Sequence, residues 1–88
     1  MAQFTIRTKP SVKKDLKDIP NKIAKTIFMK ILSLQEDPFP SDVKKIQGME
    51  NTYRIRSGDY RVVYEVNTKD SIIVIQYIRH RKDVYDNL

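Results

Sequence analysis

The order of elements read along the chain predicts an α+β fold. A small, mostly antiparallel sheet of about four strands carries an N-terminal helical hairpin on one face. Three observations lead there. The first half holds two segments whose apolar residues recur three and four apart. The second half holds alternating or continuously apolar runs. Short turn signals, not linkers, separate them. The chain of 88 residues is expected to form a single domain over 1–88 with a modest core.

The segment FTIRT (4–8) reads as a short first strand, with Phe4 and Ile6 on one face and Thr5 and Arg7 on the other. Thr8, Lys9 and Pro10 suit a helix entry, because threonine can cap and proline fits the first turn. Val12, Leu16 and Ile19 then mark one face of a short helix, which Pro20-Asn21 breaks. The segment NKIAKTIFMKILSLQED (21–37) is the clearest helix. Ile23, Ile27, Ile31 and Leu34 form one row, and Ala24, Phe28 and Leu32 form the adjacent row, together a wide apolar stripe. Asp37-Pro38-Phe39-Pro40 ends it.

The second half is β-rich. Residues 43–51, VKKIQGMEN, have room for a short strand and a turn. YRIRSGDYRVVYEV (53–66) reads as a hairpin around Ser57-Gly58-Asp59, and SIIVIQYIRH (71–80) as a strand after a turn at 67–70. The last strand leaves few polar positions, so it is expected inside the sheet rather than with one face in water. The tail RKDVYDNL reads equally as a short helix or as irregular chain.

Composition narrows function. Seventeen Lys and Arg against eleven Asp and Glu give a net charge of +6, which favours polyanionic or acidic partners. The absence of cysteine excludes disulfides, thiol catalysis and thiolate metal sites. A single histidine without cysteine is a poor metal-ligand set, and there is no P-loop. No cofactor or metal is expected. The opening MAQFTIRTKP lacks an apolar stretch of signal-peptide length, and no run approaches the roughly 20 apolar residues of a membrane span. A cytoplasmic location without membrane contact is therefore expected.

The hairpin concentrates charge. With Ser57-Gly58 as a two-residue loop, Arg54 opposes Arg61. With Gly58-Asp59 as the loop, Arg56 opposes Arg61 instead. In both registers Arg54, Arg56 and Arg61 share a face, because strand side chains alternate with period two; a three-residue loop would break this. Tyr53, Ile55, Tyr60, Val62, Tyr64 and Val66 take the other face, suited to a core under helices. Like charges directly opposed on a sheet cost up to roughly 1 kcal/mol. The bland reading is a solvated face partly offset by Asp59 and Glu65. The functional reading is a platform for a phosphodiester, since guanidinium binds phosphate in a bidentate manner. Arg79, His80, Arg81, Lys82 and Tyr85 follow the last strand closely. A lone histidine or tyrosine is more often structural, but beside a phosphate-binding face histidine can move a proton and tyrosine can stack on a base.

The segment IQGMENTYRIRSGDYRVVYEV (46–66), the ending IRHRKDVY (78–85) and the two helices after a first strand resemble the RelE/ParE superfamily of bacterial and archaeal toxins, on the RelE side. Nearly the whole chain takes part. The resemblance implies a compact sheet with two helices against it and a toxin of a type II toxin–antitoxin system, held inactive by a cognate RelB-like antitoxin. It implies an endoribonuclease that cuts mRNA, in many members in the ribosomal A site, by attack of the substrate's own 2′-hydroxyl without a metal. Arg54 and Arg56 match basic positions near the scissile phosphate. Arg61 matches an arginine that holds the phosphate, Arg79 the basic residue ending the last strand, and Tyr85 the stacking tyrosine. His80 matches a histidine used by some relatives. Lys44, Lys45, Arg81 and Lys82 add positive charge around these positions and are assigned to RNA binding.

One departure matters. Relatives often have lysine where this chain has Arg54 and Arg56. Arginine holds phosphate well but is a poor general base, its pKa lying above about 12. His80, Tyr85, Glu65 or positioning by the ribosome remain open for proton removal. Two other functions stay open on the same fold. One is a ParE-like inhibitor of gyrase without nuclease activity, which generally lacks the basic cluster and the terminal tyrosine. The other is an electrostatic nucleic-acid-binding module.

Overall fold

Five strands form one sheet in the order β1-β5-β4-β3-β2 in the computed structural model, which describes residues 3–81. They are β1 (Thr5–Thr8), β2 (Lys44–Lys45), β3 (Thr52–Ser57), β4 (Tyr60–Asn67) and β5 (Ile72–His80). The helices α1 (Pro10–Lys17) and α2 (Asn21–Ser33) follow β1. The sheet is therefore one strand larger than the four expected. The fifth is the two-residue β2, whose Lys44 and Lys45 pair with Arg54 and Tyr53. β1 runs parallel to β5, from Thr5↔Ile72 to Thr8↔Ile75, while the remaining pairs are antiparallel. The α1–α2 excursion lets the chain return to the sheet, and β5 enters between β1 and β4.

The core lies between the helices and one sheet face. Val12 and Ile19 from the α1 region and Ile27, Ile31 and Leu34 from the α2 region meet Ile55, Val62, Tyr64, Val66, Ile73, Ile75 and Ile78. All the hairpin residues expected under the helices pack there, Tyr53 and Tyr60 only partly buried. The Tyr64 hydroxyl is buried and donates to the Pro38 carbonyl at 2.7 Å. Burial pushes this hydroxyl far above the ordinary tyrosine pKa.

Several local expectations are corrected. Lys9, not Thr8, is the N-cap of α1, and it makes no side-chain capping bond. Pro10 fills the first turn as expected. The α2 stripe is wider than the core needs. Ile23, Phe28 and Leu32 of the stripe remain exposed, as does Met29 beside it. The hairpin loop is Gly58-Asp59, since Ser57 pairs with Tyr60 and Arg56 with Arg61. Gly58 has φ +60, a left-handed conformation that glycine adopts without a Cβ penalty.

The apolar run of β5 has a geometric cause. The β4–β5 register shifts between Val63 and Tyr64, which pair with Tyr77 and Ile75, so Gln76 is an extra residue. Such a bulge turns the following side chains to the other face. Ile73, Ile75 and Ile78 thus all reach the core, although strict alternation would have sent Ile78 outward.

Candidate functional site

The face of the sheet opposite the helices carries the arginines. Arg54 pairs with Val63, Arg56 with Arg61, and Arg61 in turn with Arg79. These residues share a face by alternation, together with Tyr77, which pairs with Val63. Two adjoining recesses form there. One is lined by Asp42, Lys44, Arg54, Arg56, Gly58 and Arg61. The other is lined by Lys44, Lys45, Gln47, Arg54, Arg61, Val63 and Tyr77, among others. Arg54, Arg61 and Lys44 belong to both, so the two make one basic groove.

Its floor is apolar. Val63 is only 5 % exposed although it faces away from the core. The groove-lining Arg54, Arg61 and Tyr77 surround it, and arginine stems cover apolar surface while leaving the charged head accessible. Positive groups over a partly desolvated floor attract an anion more strongly than the same groups in bulk water.

Arg56 is exposed, and its Nε donates to the Gly58 carbonyl at 2.9 Å, which folds the guanidinium against the hairpin loop. The Arg56 carbonyl accepts from Lys30 Nζ at 2.6 Å. Lys30 also pairs with Asp42 at 2.7 Å, and this hydrogen bond holds the Asp42 carboxyl below its ordinary pKa. Lys30 thereby ties α2 to β3 and to the rim of the groove.

Arg79 leaves the groove. Its guanidinium lies over the Tyr77 ring, 4.8 Å from the centroid. Nη1 donates to the Asp15 carboxylate at 2.9 Å and to the Ile78 carbonyl at 3.1 Å. Arg79 lines a separate recess with Asp15, Asp18, Ile19, Tyr60, Ile78 and His80. His80 pairs with Tyr60, on the helix side of the sheet, with its ring edge-on to the Tyr60 ring at 5.1 Å. Arg79 and His80 therefore leave the strand on opposite faces, yet both line this recess, because the Arg79 guanidinium turns toward Asp15 of α1. Arg81 is exposed, and its N–H donates to the Asp59 carbonyl at 2.7 Å. Lys82 and Tyr85, like the rest of the tail, lie outside the described residues.

The structure thus brings together Lys44, Lys45, Arg54, Arg56 and Arg61, and sets Arg79 and His80 to one side. Sequence reasoning missed Asp15, Lys30 and Asp42. They come from helices and loops distant in sequence, and no local pattern marks them. Tyr77 was legible as a strand residue but not as part of the groove. Among the described residues no group of three His, Cys, Asp or Glu side chains is placed to hold a metal ion. Among them, too, no helix is long and apolar enough to cross a membrane.

A five-stranded sheet with a helical pair on one face and a basic groove on the other defines a small basic α+β protein. The chain belongs to the family described as ParE toxin of type II toxin–antitoxin system, parDE, whose model matches residues 6–85. Its named relatives lie on the RelE side. Toxin RelE3 of Methanocaldococcus jannaschii is 42 % identical over 77 residues, 83 % of this chain and 85 % of that protein. The archaeal RelE–RelB complex from Pyrococcus horikoshii contains a chain of TM-score 0.81 and 32 % identity, over 92 % of this chain and 97 % of that one. The RelB–RelE antitoxin–toxin complex from Methanococcus jannaschii gives TM-score 0.76 and 36 % identity, over 93 % and 98 %.

Proposed function

We propose that this protein is the toxin of a type II toxin–antitoxin system and acts as an endoribonuclease that cuts mRNA, engaging it in the ribosomal A site and so inhibiting translation. The observation that carries this reading is the groove of Lys44, Arg54, Arg56 and Arg61 on the sheet face opposite the helices. A phosphodiester in the groove meets donors that match its oxygens in pairs. The 2′-oxygen of the preceding ribose attacks phosphorus, the 5′-oxygen leaves, and a 2′,3′-cyclic phosphate results. The proton lost by the 2′-hydroxyl must be removed and one must reach the 5′-oxygen. Arg61, with Arg54 and Arg56 beside it, stabilises the negative charge that grows on the phosphoryl oxygens. No metal enters the proposed step, because the guanidinium groups carry that charge.

Proton removal does not fall to Glu65 in this reading. It lies four residues from Arg61 along β4, roughly 13 Å at strand rise, too far to serve the same phosphate. His80 faces the other side of the sheet. Tyr85 and in-line alignment of the 2′-hydroxyl by the ribosome are left to supply the acceleration, and alignment alone is worth several powers of ten.

The partner that silences the groove is a RelB-like antitoxin. Relatives of known structure are RelE–RelB complexes, and a net charge of +6 favours an acidic segment laid over the groove. The exposed Phe28, Met29 and Leu32 of α2 suit a partner helix.

The test is induction in a bacterial host followed by mapping of RNA 5′ ends, with Arg61→Ala in parallel. Cuts within translated codons that vanish in the variant are expected. Growth arrest with intact messages would instead favour the second reading, a ParE-like inhibitor of gyrase, which the description of the matched family keeps in play.

A further inference from the structure

Arg79 and Arg61 oppose each other across β4 and β5, yet their guanidinium groups serve different recesses. The reason lies in α1. β1 accompanies β5 only as far as Thr8↔Ile75. Beyond that point the N–H of Ile78 donates to the Asp15 carboxylate at 3.2 Å, so a side chain of α1 replaces the missing strand. The same carboxylate oxygen takes Arg79 Nη1 at 2.9 Å. The backbone bond explains an acceptor at position 15, and a neutral acceptor would satisfy it. The carboxylate charge is a separate matter: it lies against the Arg79 guanidinium, which rests over the Tyr77 ring.

We infer that Asp15 is a positioning residue of the groove: it holds Arg79 aside in the free protein and yields it to an incoming phosphodiester. This rests on the reading of the groove as an RNA-binding face. Without ligand, Arg79 beside Arg61 would add like charge to a face that already holds Arg54 and Arg56, which is unfavourable. A bound phosphate reverses the sign, and Arg79 then gains more from the groove than from Asp15. The Asp15–Arg79 pair is suited to such exchange. Its side chains are 23 % and 38 % exposed, and pairs of this kind are weak. The Tyr77 ring lies under the guanidinium and also lines the groove, so it spans the path from one position to the other.

The experiment measures binding of the full chain to a 2′-O-methyl RNA oligonucleotide, which lacks the attacking hydroxyl. Asp15→Asn keeps an acceptor for the Ile78 N–H and loses the charge. It is expected to tighten binding about two- to fivefold at low salt, the range set by release of a partly exposed pair. Asp18→Asn removes the same charge from the same recess and is expected to tighten binding less. The Asp15→Asn gain is expected to vanish in an Arg79→Ala background. Equal gains from both carboxylates, persistence of the gain without Arg79, or no gain overturns the inference. Should Asp15→Asn fail to fold, NMR of the unaltered chain decides. The Ile78 amide and the Arg79 Nε–H signals are expected to move on saturation with the oligonucleotide, and unmoved signals overturn the inference. If Arg54→Ala and Arg61→Ala leave binding unchanged, the groove reading itself falls and takes the inference with it. Loss of binding in those two variants without the Asp15 effect removes the inference alone.

Discussion

Arg56 stands directly opposite Arg61 across β3 and β4, two guanidinium-bearing residues at one rung of an antiparallel ladder. Sheets gain stability from opposite charges at such a rung and lose it from like charges. Arg56→Glu is therefore expected to raise the unfolding free energy by about 0.2–1 kcal/mol, read by chemical denaturation. The same variant is expected to weaken binding of RNA. A variant that is both less stable and a weaker binder would show that the rung is held by something other than the pair.

Charge in the groove also fixes the salt response. Lys44, Arg54, Arg56 and Arg61 line it. If all four contact phosphates, the logarithm of the binding constant for single-stranded RNA falls with the logarithm of salt at a slope of about −3. Each single alanine variant is expected to reduce that slope by about 0.7. A slope near zero would mean that the groove does not hold the nucleic-acid backbone.

Tyr64 provides a control remote from the groove. Tyr64→Phe removes the bond to the Pro38 carbonyl and leaves that acceptor without it. The expected loss is about 1–2 kcal/mol of stability, with RNA binding unchanged. The hydroxyl pKa is raised in the folded state from the model-peptide value of 10.0. Below that value the group is neutral in both folded and unfolded chains, and stability is unaffected by pH. Above it the unfolded chain ionises first, so stability falls as pH rises. In Tyr64→Phe this alkaline loss is expected to be smaller, as thermal melts at pH 9 and 11 would reveal.

The Lys30–Asp42 pair acts in the acid range. Asp42 is depressed below its ordinary value by the Lys30 hydrogen bond, so its contribution is present at neutral pH and lost as pH falls through the carboxylate range. Both side chains are partly exposed, which limits the pair to under about 1 kcal/mol. Asp42→Asn is expected to remove that part of the acid dependence. Lys30→Met is expected to cost more, because it also removes the bond to the Arg56 carbonyl.

Much of this architecture was legible because period-two alternation is local. The arginine face and the tyrosine–valine face of the hairpin follow from it for either two-residue loop, and the structure was needed to show that the loop has two residues, Gly58-Asp59, and not three. The same rule, applied to Arg79 and His80, would have separated them, since neighbours on a strand point to opposite faces. Their adjacency in sequence concealed this. The bulge at Gln76 was not legible, because an unbroken apolar run gives no phase. Nor was the tie between Asp15 and Arg79, 64 residues apart, for which no spacing rule exists. The exposed part of α2 shows a third limit. Periodicity marks a stripe as apolar but does not say how much of it the chain itself covers.

The parallel pairing of β1 with β5 orders events during synthesis. β5 is interior to the sheet, yet it is the last strand of the five to leave the ribosome. Until it does, β1 has no neighbour and α1 has no strand to lie on. The hairpin of β3 and β4 can close early, since its contacts are local. The first strand made must instead wait for β5, so the nascent chain keeps an unmade half-sheet and uncovered apolar surface until β5 has emerged. Completion is then a single late closure across most of the chain's length. With the hairpin closed early and the β1–β5 pairing made late, the chain passes through a half-built sheet whose open edge is a substrate for chaperones and proteases.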